Sequence, residues 1–300
     1  MGLRAFARTA QEVGPVVGAP VYNDAPRRTA AMAEPLVRIE RQDGITTITL
    51  SNPPRHTLTA AGVQQLHAAL DELEGDRELR VLVLTGGGDG VFVAHYEVGE
   101  LAASAEQQTG TPTATPEPTT RLHPLHTLCL RLEALAPVTV AALNGNAAGG
   151  GCELSLACDF RLMADGPYHY GLPETSVGII PGAGGTQRFA RLLGTARALD
   201  LILHAQVLSP REALDLGLVH RIYPAATFTE EVAAFAADLA GRAPLALAAA
   251  KEAIRRGAET TLEAGLGIEQ ECFDRTMRSK DAAGAMRAWL EGRPYTWQGE

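Results

Sequence analysis

The sequence has little of what nucleic-acid-binding, membrane-spanning or disulfide-linked proteins require. Its 26 Lys and Arg are outnumbered by 35 Asp and Glu, so the 300-residue chain carries a net charge of −9. Because phosphate recognition rests on clustered cations, this balance argues against a nucleic-acid partner. No apolar run reaches the ~18 residues of a membrane span, so we expect no membrane contact. The four cysteines form no C-x-x-C pair, which predicts reduced thiols, a cytoplasmic protein and no metal site.

The N-terminal segment lacks both a targeting signal and a periodic hydrophobic pattern. Pro15 and Pro20 interrupt its one apolar stretch, and no Ser precedes Ser51, although transit peptides are usually rich in Ser. We therefore predict that residues 1–33 form a flexible N-terminal extension.

The hydrophobic patterns that follow predict an α/β arrangement. Alternating β-formers on either side of Asp43-Gly44 indicate a hairpin, and Thr59 is placed to cap the first helix. The run 80–85 is typical of a strand buried on both faces. The expected strands are 36–40, 45–50, 80–85, 138–143 and 160–164, and the expected helices are 60–74, 121–135, 151–158, 195–206, 209–217, 229–242, 244–257 and 261–292.

Two glycine-rich segments stand where strands give way to helices. Residues 147–153 read AAGGGCE, and residues 182–185 read GAGG. Neither matches the G-x-G-x-x-G of dinucleotide-binding folds or the Gly-Lys-Ser/Thr ending of a P-loop. Taken alone, each run fits a tight turn as well as a site. A glycine run at a helix N-terminus also exposes unpaired N–H groups to a ligand oxygen, as in a main-chain oxyanion hole.

Two carboxylates accompany these glycines. Glu153 ends the first segment, and Glu174 comes 21 residues later in YGLPETSVG, too far away to share its helix. A strand and a loop between them would return the chain to the same cleft. Two carboxylates beside an oxyanion hole suit proton transfer on a carbonyl compound. Glu174 taken alone also fits a neighbour of a helix N-cap or a solvated loop charge.

The stretch from Pro137 to Arg188 resembles the crotonase (enoyl-CoA hydratase/isomerase) family. Weaker similarity covers most of residues 36–297. The resemblance is carried by PVTVAALNG (137–145), AAGGGCELSLACD (147–159), YGLPE (170–174) and GIIPGAGGTQR (178–188).

This resemblance implies the fold and the assembly. The fold class would be α/β, with a crotonase-type spiral of ββα repeats forming a catalytic core over residues 34–225. A C-terminal helical oligomerisation region would cover residues 226–300 and join the chains into a trimer or a dimer of trimers. The implied substrate is an acyl-CoA thioester, and no separate cofactor is expected because coenzyme A is part of that substrate.

The resemblance also implies residue roles. The amides of Ala94 and Gly150 would form the oxyanion hole, and Gly182 matches the position whose amide helps to place a water molecule. Glu153 would deprotonate that water for attack at C3, and Glu174 would protonate C2. A Glu at both positions is the hydratase arrangement, so the resemblance implies a lyase that hydrates 2-enoyl-CoA.

The sequence departs from the family pattern near the first oxyanion strand. The family usually reads Phe-x-Ala-Gly-Ala-Asp there, whereas His95 and Tyr96 follow Ala94 in this chain. Either these two side chains form a wall of the pocket, or one of them contacts the acyl group or the thioester oxygen.

Three further residues stand near positions that bind coenzyme A in the family. Arg55 and Thr57 lie where a basic residue and its neighbours are common, although a solvated Arg55 explains the sequence almost as well. Trp297 matches an aromatic that often lies near adenine. The Thr/Pro-rich segment 107–120 is predicted to be a mobile loop that covers the acyl tail.

Three functions stay open at this point. The first is hydration of a 2-enoyl-CoA. The second is another crotonase reaction, such as double-bond isomerisation, dehydration or C–C cleavage, although isomerases commonly keep only one of the two glutamates. The third is a non-catalytic acyl-CoA-binding protein, which has no need of both.

Overall fold

The computed structural model describes residues 36–109 and 122–300. The predicted N-terminal extension and residues 110–120 of the predicted loop lie outside the described residues. Residues 107 and 108, which we expected in that loop, form the end of a helix instead.

The strands of the described residues form two sheets. The larger sheet has the order β1-β2-β3-β5-β7-β10, and the smaller one has the order β4-β6-β8-β9. Pairing is antiparallel between β1 and β2 and between β8 and β9, and parallel elsewhere. The strands are β1 Val37–Gln42, β2 Ile45–Leu50, β3 Val81–Gly86, β4 Gly90–Val93, β5 Val138–Leu143, β6 Gly145–Ala148, β7 Phe160–Asp165, β8 Tyr170–Gly171, β9 Val207–Leu208 and β10 Arg221–Pro224.

Early in the chain a helix follows every second strand, and at its end helices succeed one another. Two short 3-10 helices, Glu174–Val177 and Ala225–Thr227, complete the described elements. The α-helices are α1 Ala60–Leu73, α2 Val98–Gln108, α3 Pro124–Ala134, α4 Gly150–Leu156, α5 Gly185–Leu193, α6 Thr195–Leu203, α7 Pro210–Asp215, α8 Phe228–Ala240, α9 Pro244–Gly257, α10 Leu262–Met277 and α11 Lys280–Leu290.

The central strands are buried on both faces, as the run at 80–85 predicted. Val81 and Val83 of β3 join one apolar cluster, which contains Phe228 of α8. Leu82 and Leu84 point to the opposite face and join the main core with residues of α1, α3 and α4. Each fully buried side chain of this kind stabilises the fold by about 1.5–3 kcal/mol, so the alternation fixes the register of β3.

The first turns and caps follow the sequence signals. Asp43 and Gly44 both have positive φ, 50° and 76°, which makes the tight turn between β1 and β2. The Thr59 hydroxyl accepts a hydrogen bond from the Gly62 amide and caps α1.

Two expectations about element boundaries are wrong. The segment 261–292 forms two helices, because the Ser279 hydroxyl accepts from the Ala282 amide and starts α11. The expected strands also lack β6, which begins at Gly145 in the second sheet, directly after Asn144. Asn144 supports this change of sheet by donating to the carbonyls of Gly86 and Gly88, at 3.2 and 2.8 Å.

No single helix in the described ranges is both long and apolar enough to cross a membrane. The segments Ala225–Ala240 and Pro244–Gly257 meet that test of length and composition only when combined across a 98° bend.

Candidate active site

Three segments converge at the end of the smaller sheet. Strand β6 pairs with β4 on one side and with β8 on the other. Helix α4 begins at Gly150, two residues after β6 ends, and β8 is followed by the 3-10 helix that begins at Glu174. The glycine run and both predicted carboxylates are therefore brought to one place by parallel pairing.

Gly149 is the turn between β6 and α4, and only glycine suits it. Its φ is +50° and its ψ is −124°, a conformation that L side chains rarely adopt. A β-carbon there would lie 3.1 Å from Oε1 of Glu174. Its amide donates to the Gly171 carbonyl at 3.0 Å. The bare backbone thus lets the Glu174 carboxyl approach the start of α4.

The next two glycines let the strand that precedes α2 lie against the start of α4. A methyl group on Gly151 would collide with the Val93 carbonyl, and one on Gly150 would lie 3.4 Å from the Tyr96 amide nitrogen. The N-terminus of α4 and the Tyr96 amide therefore face each other closely.

Two main-chain N–H groups at this contact make no hydrogen bond to any described residue. They belong to Tyr96 and Gly150. The amide of Ala94, which we predicted as the first oxyanion donor, donates instead to the His56 carbonyl at 3.1 Å. The Ala94 prediction therefore does not fit the structure. Its neighbour two residues on, Tyr96, presents the amide that faces Gly150.

The Glu153 side chain is buried, with 2% exposed, in the first turn of α4. Its Oε1 accepts hydrogen bonds from the amides of Ala183 at 2.6 Å and Gly185 at 2.8 Å. Burial raises the pKa of Glu153, while these two amides and the Arg188 cation oppose the rise. Its Oε2 accepts no hydrogen bond from a described residue and is the atom left for a reactant.

The Glu174 carboxyl lacks such support. Its Oε2 is buried and has no hydrogen-bond partner among the described residues. Burial, together with the nearby Glu153 charge, raises the pKa of Glu174 to about 7. Near neutral pH the pair can therefore divide its protons, with Glu153 ionised by its donors and Glu174 protonated.

His95 and Tyr96 line the site beside these groups, and both are half-buried. The His95 β-carbon is 3.8 Å from the place a Gly149 β-carbon would take, and its Nδ1 lies 2.6 Å from the Tyr96 carbonyl oxygen. The Tyr96 ring makes an edge contact with His123, at 6.0 Å between centroids. Burial and a hydrogen bond to Glu100 raise the pKa of the Tyr96 hydroxyl to about 12. Both side chains thus have protein partners, as in the wall interpretation.

Thr57 and Arg55 differ in burial. Thr57, only 5% exposed, donates to Oε2 of Glu97 at 2.8 Å and accepts from Nδ2 of Asn52 at 3.1 Å. The predicted role of Thr57 in binding substrate therefore does not fit, because its hydroxyl is used within the protein. Arg55 is exposed, and its charge helps to lower the pKa of Glu97, against the effect of burial.

The other two predicted positions have different surroundings. Gly182 is exposed in the loop that holds Glu153, next to the donor amide of Ala183. Trp297 makes an edge contact with Tyr295, at 5.1 Å between centroids, in a tail bound to α11. Nearby Gly299 lies against Arg80 at the start of β3, so the structure does not bring Trp297 to the two glutamates.

Sequence reasoning missed the groups that hold Glu153. These are the amides of Ala183 and Gly185 and the guanidinium of Arg188, which lies near Glu153. The available signal was the GAGG run followed by Arg188 in a helix, from which we predicted a role only for Gly182. In the described parts of the chain, no group of three or more His, Cys, Asp or Glu is arranged to hold a metal ion.

The chain is similar in sequence to known proteins. The family model for enoyl-CoA hydratase/isomerase matches residues 40–300. A short-chain-enoyl-CoA hydratase of Clostridium acetobutylicum is 31% identical over 260 residues, which cover 86% of this chain and 95% of that protein. A 2,3-dehydroadipyl-CoA hydratase of Escherichia coli is 33% identical, and the match covers 87% and 98% of the two chains.

Solved structures are similar as well. The crystal structure of an enoyl-CoA hydratase from Bacillus anthracis superposes with a TM-score of 0.78 at 33% identity, covering 88% of this chain and all of that one. An enoyl-CoA hydratase structure from Geobacillus kaustophilus gives the same TM-score at 31% identity, covering 90% and 98% of the two chains. These matches confirm the predicted fold class.

Proposed function

The chain belongs to the enoyl-CoA hydratase/isomerase family, and from this premise we propose that it hydrates 2-enoyl-CoA thioesters to 3-hydroxyacyl-CoA thioesters. One observation carries the proposal: two buried carboxyl groups with different hydrogen-bond support meet beside a pair of unpaired main-chain N–H groups. The coarser statement, crotonase-type chemistry on acyl-CoA thioesters, follows from family membership.

The unpaired N–H groups would hold the thioester oxygen. When a nucleophile adds at C3 of an enoyl thioester, the electrons of the double bond move onto this oxygen and form an enolate. The amides of Tyr96 and Gly150 face each other and are free to donate. A preorganised donor of this kind contributes about 10²–10³ in rate, because no reorganisation is needed as the charge develops.

The two glutamates would move the protons. Glu153 Oε2 takes a proton from water as the water oxygen bonds to C3, and Glu174 gives its proton to C2 as the enolate collapses. The product has gained one water, and the two carboxyls have exchanged protonation states. Transfer of a proton from Glu153 to Glu174 restores the starting state. A pKa of about 7 suits Glu174 to this exchange near neutral pH.

The arrangement favours hydration over double-bond isomerisation. Isomerisation moves one proton between two carbons of the same acyl chain, and a single carboxylate can do this. Hydration needs a base for water and an acid for carbon at the same time. Glu153 is held by two amides, whereas Glu174 keeps an unpartnered oxygen, so the two groups are suited to opposite tasks.

The remaining parts of the proposal concern the ligand and the assembly. Coenzyme A is the carrier portion of the substrate, and the reaction takes no further cofactor because it involves neither electron transfer nor group activation.

We propose a cytoplasmic trimer or dimer of trimers. Large apolar side chains on the outer helices support self-association, including Leu262 and Trp289, each 80% exposed in the single chain.

The test is the loss of the conjugated-thioester absorbance when the protein is added to crotonyl-CoA. Glu153→Gln keeps the shape of the side chain and removes its basicity, so we expect hydration to fall by about 10²–10⁴-fold. The exposed Glu259→Gln is the matched control and should retain activity.

Product analysis distinguishes the alternatives. Formation of 3-hydroxybutyryl-CoA supports hydration. A panel that includes 3-enoyl-CoA, longer 2-enoyl-CoAs and a 2-enoyl-CoA with a terminal carboxylate defines the acyl group. Conversion of 3-enoyl-CoA to 2-enoyl-CoA without any hydration of the panel would overturn the proposal in favour of isomerisation. Binding of these thioesters without turnover would favour a non-catalytic acyl-CoA-binding protein.

A further inference from the structure

We propose that Arg188 is a positioning residue for the acid–base pair: it fixes the loop that holds Glu153 and keeps that carboxylate ionised as the base. The inference rests on the proposed function, because it assigns a cause to the division of roles between Glu153 and Glu174. Arg188 lies on the first turn of α5.

The first contact is to the loop itself. Arg188 Nη1 donates to the Ala183 carbonyl at 2.9 Å. The amide of the same residue, Ala183, donates to Glu153 Oε1 at 2.6 Å. A single residue is thus held by the guanidinium at its carbonyl and bound to the carboxylate at its nitrogen. Movement of Arg188 would therefore shift a donor of Glu153 directly.

The glycine at position 184 leaves room for this guanidinium. Gly184 has a φ of +99°, and a methyl group on it would collide with Arg188 Nη1. The loop therefore needs glycine here both for its backbone conformation and for the approach of the arginine. By contrast, nothing lies within contact distance of a β-carbon built on Gly182, apart from the Ile180 carbonyl at 4.0 Å.

The arginine is itself held in place from the opposite side. Its Nε donates to Glu133 Oε1 of α3 at 2.8 Å, and the two side chains are only 14% and 23% exposed. Glu133 also pairs with Arg255 of α9 at 3.5 Å, and Arg255 pairs with Asp159 at 2.8 Å. Charge-assisted contacts in a partly buried setting restrict the guanidinium to one position.

The positive charge of Arg188 also acts on Glu153, in addition to the contacts that hold the loop. Arg188 is the cation that lowers the pKa of Glu153, against the effect of burial. The other titratable groups that face this centre are Glu174 from the 3-10 helix, Glu133, Cys129 and His126 from α3, and Cys152 from α4. Of these, Glu174 is the group whose pKa the Glu153 charge raises. Removal of Arg188 would leave the burial of Glu153 opposed only by the amides of Ala183 and Gly185, and would favour the protonated, inactive base.

The experiment compares Arg188→Met, Arg188→Lys and Glu133→Gln with the wild type by measuring kcat, KM and the pH profile of kcat/KM for crotonyl-CoA. Arg191→Met is the matched control, because Arg191 lies on the same helix, is exposed and, among the described residues, bonds only to Gln187. We expect Arg188→Met to lower kcat at least tenfold at pH 7 while KM changes less than about threefold, since the carboxylates act in the chemical step.

The pH profile separates positioning from a general structural role. Loss of a neighbouring cation raises a carboxyl pKa by about 1–3 units, so the acidic limb of kcat/KM should move up by about one unit or more in Arg188→Met. Arg188→Lys keeps the charge, so it should retain the limb position and recover part of kcat. Glu133→Gln removes the carboxylate that holds Arg188 but keeps the arginine. It should lower kcat and move the acidic limb of kcat/KM upward by less than Arg188→Met does.

A second readout does not depend on hydration. Infrared spectroscopy of the carboxyl stretch, assigned with Glu153→Gln, follows the titration of Glu153 in the unliganded protein. If the chain catalyses another crotonase reaction, this titration should still shift in Arg188→Met. The role of Arg188 would be refuted if neither the titration of Glu153 nor the acidic limb of kcat/KM shifted in Arg188→Met. It would also be refuted if both shifted equally in Arg191→Met. Should Arg188→Met fail to fold, Arg188→Lys and Glu133→Gln decide by the same two readouts.

Discussion

The most direct physical test of the carboxyl pair is the stability of a Glu174→Gln variant as a function of pH. The folded protein raises the pKa of Glu174 from 4.5 to about 7 through burial and the charge of Glu153. A group whose folded-state pKa lies above its unfolded value stabilises the fold fully below the unfolded pKa. That contribution is lost as the pH rises through the folded-state value. Ionised Glu174 therefore destabilises the protein at alkaline pH.

The size of the effect follows from the two pKa values. The rise from 4.5 to about 7 makes the glutamate cost about 3 kcal/mol of folding free energy at pH 8 and about 1 kcal/mol at pH 5. Glutamine has the same shape and never ionises. Glu174→Gln should therefore be more stable than the wild type by about these amounts. The buried, unpartnered Oε2 gives no hydrogen bond that the substitution would break.

The assay is urea unfolding followed by circular dichroism at pH 5 and pH 8, with the protein concentration held constant because self-association affects the midpoint. Glu259→Gln replaces an exposed glutamate in the turn after α9 and controls for the loss of one negative charge. A gain that is equal at the two pH values, or a similar gain in Glu259→Gln, would refute the assignment of a raised pKa to Glu174.

Two further substitutions test single contacts. Gly149→Ala places a methyl group 3.1 Å from Glu174 Oε1 at a φ of +50°, and we expect a loss of activity of about 10²-fold or more because displacing an acid by an ångström has effects of this size. Gly267→Ala, in open space on α10, should leave kcat unchanged, and an active Gly149→Ala would contradict the close packing. Thr57→Val should cost about 1–3 kcal/mol of stability, because Oε2 of Glu97 loses its donor. Its KM for crotonyl-CoA should stay unchanged, and a raised KM at full stability would instead restore Thr57 as a ligand contact.

The sequence predicts most of what local patterns can encode. The alternation of Val and Leu in β3 specifies a strand buried on two faces, and Asp43-Gly44 specifies the turn between β1 and β2. Glu153 and Glu174 meet because the two strands between them return the chain: β7 pairs in parallel with β5, and β8 pairs in parallel with β6. What local patterns miss are contacts between distant segments, such as the change of sheet at Asn144.

The oxyanion donor illustrates the limit most clearly. Ala94 and Tyr96 are two residues apart on the segment that follows β4, and no local feature of the sequence shows which of their amides is left unpaired. A distant segment determines which amide is left unpaired. The His56 carbonyl accepts a hydrogen bond from the Ala94 amide, and Leu58 forms a β-bridge with Tyr96. His56 reaches this position through a φ of +53°, rare for a non-glycine residue.

The glycines of the two runs are required for different structural reasons. Gly149 is required by its backbone angles and by the Glu174 carboxyl, Gly151 by the Val93 carbonyl, and Gly184 by the Arg188 guanidinium. Each demand comes from a different neighbour, so substitution of each should disturb a different property. Gly149→Ala acts on the acid, whereas a methyl group at position 184 acts on the base through Arg188. If Arg188 positions Glu153, the pH profile should therefore respond to position 184 as it does to Arg188→Met, although no side chain at 184 touches either carboxylate.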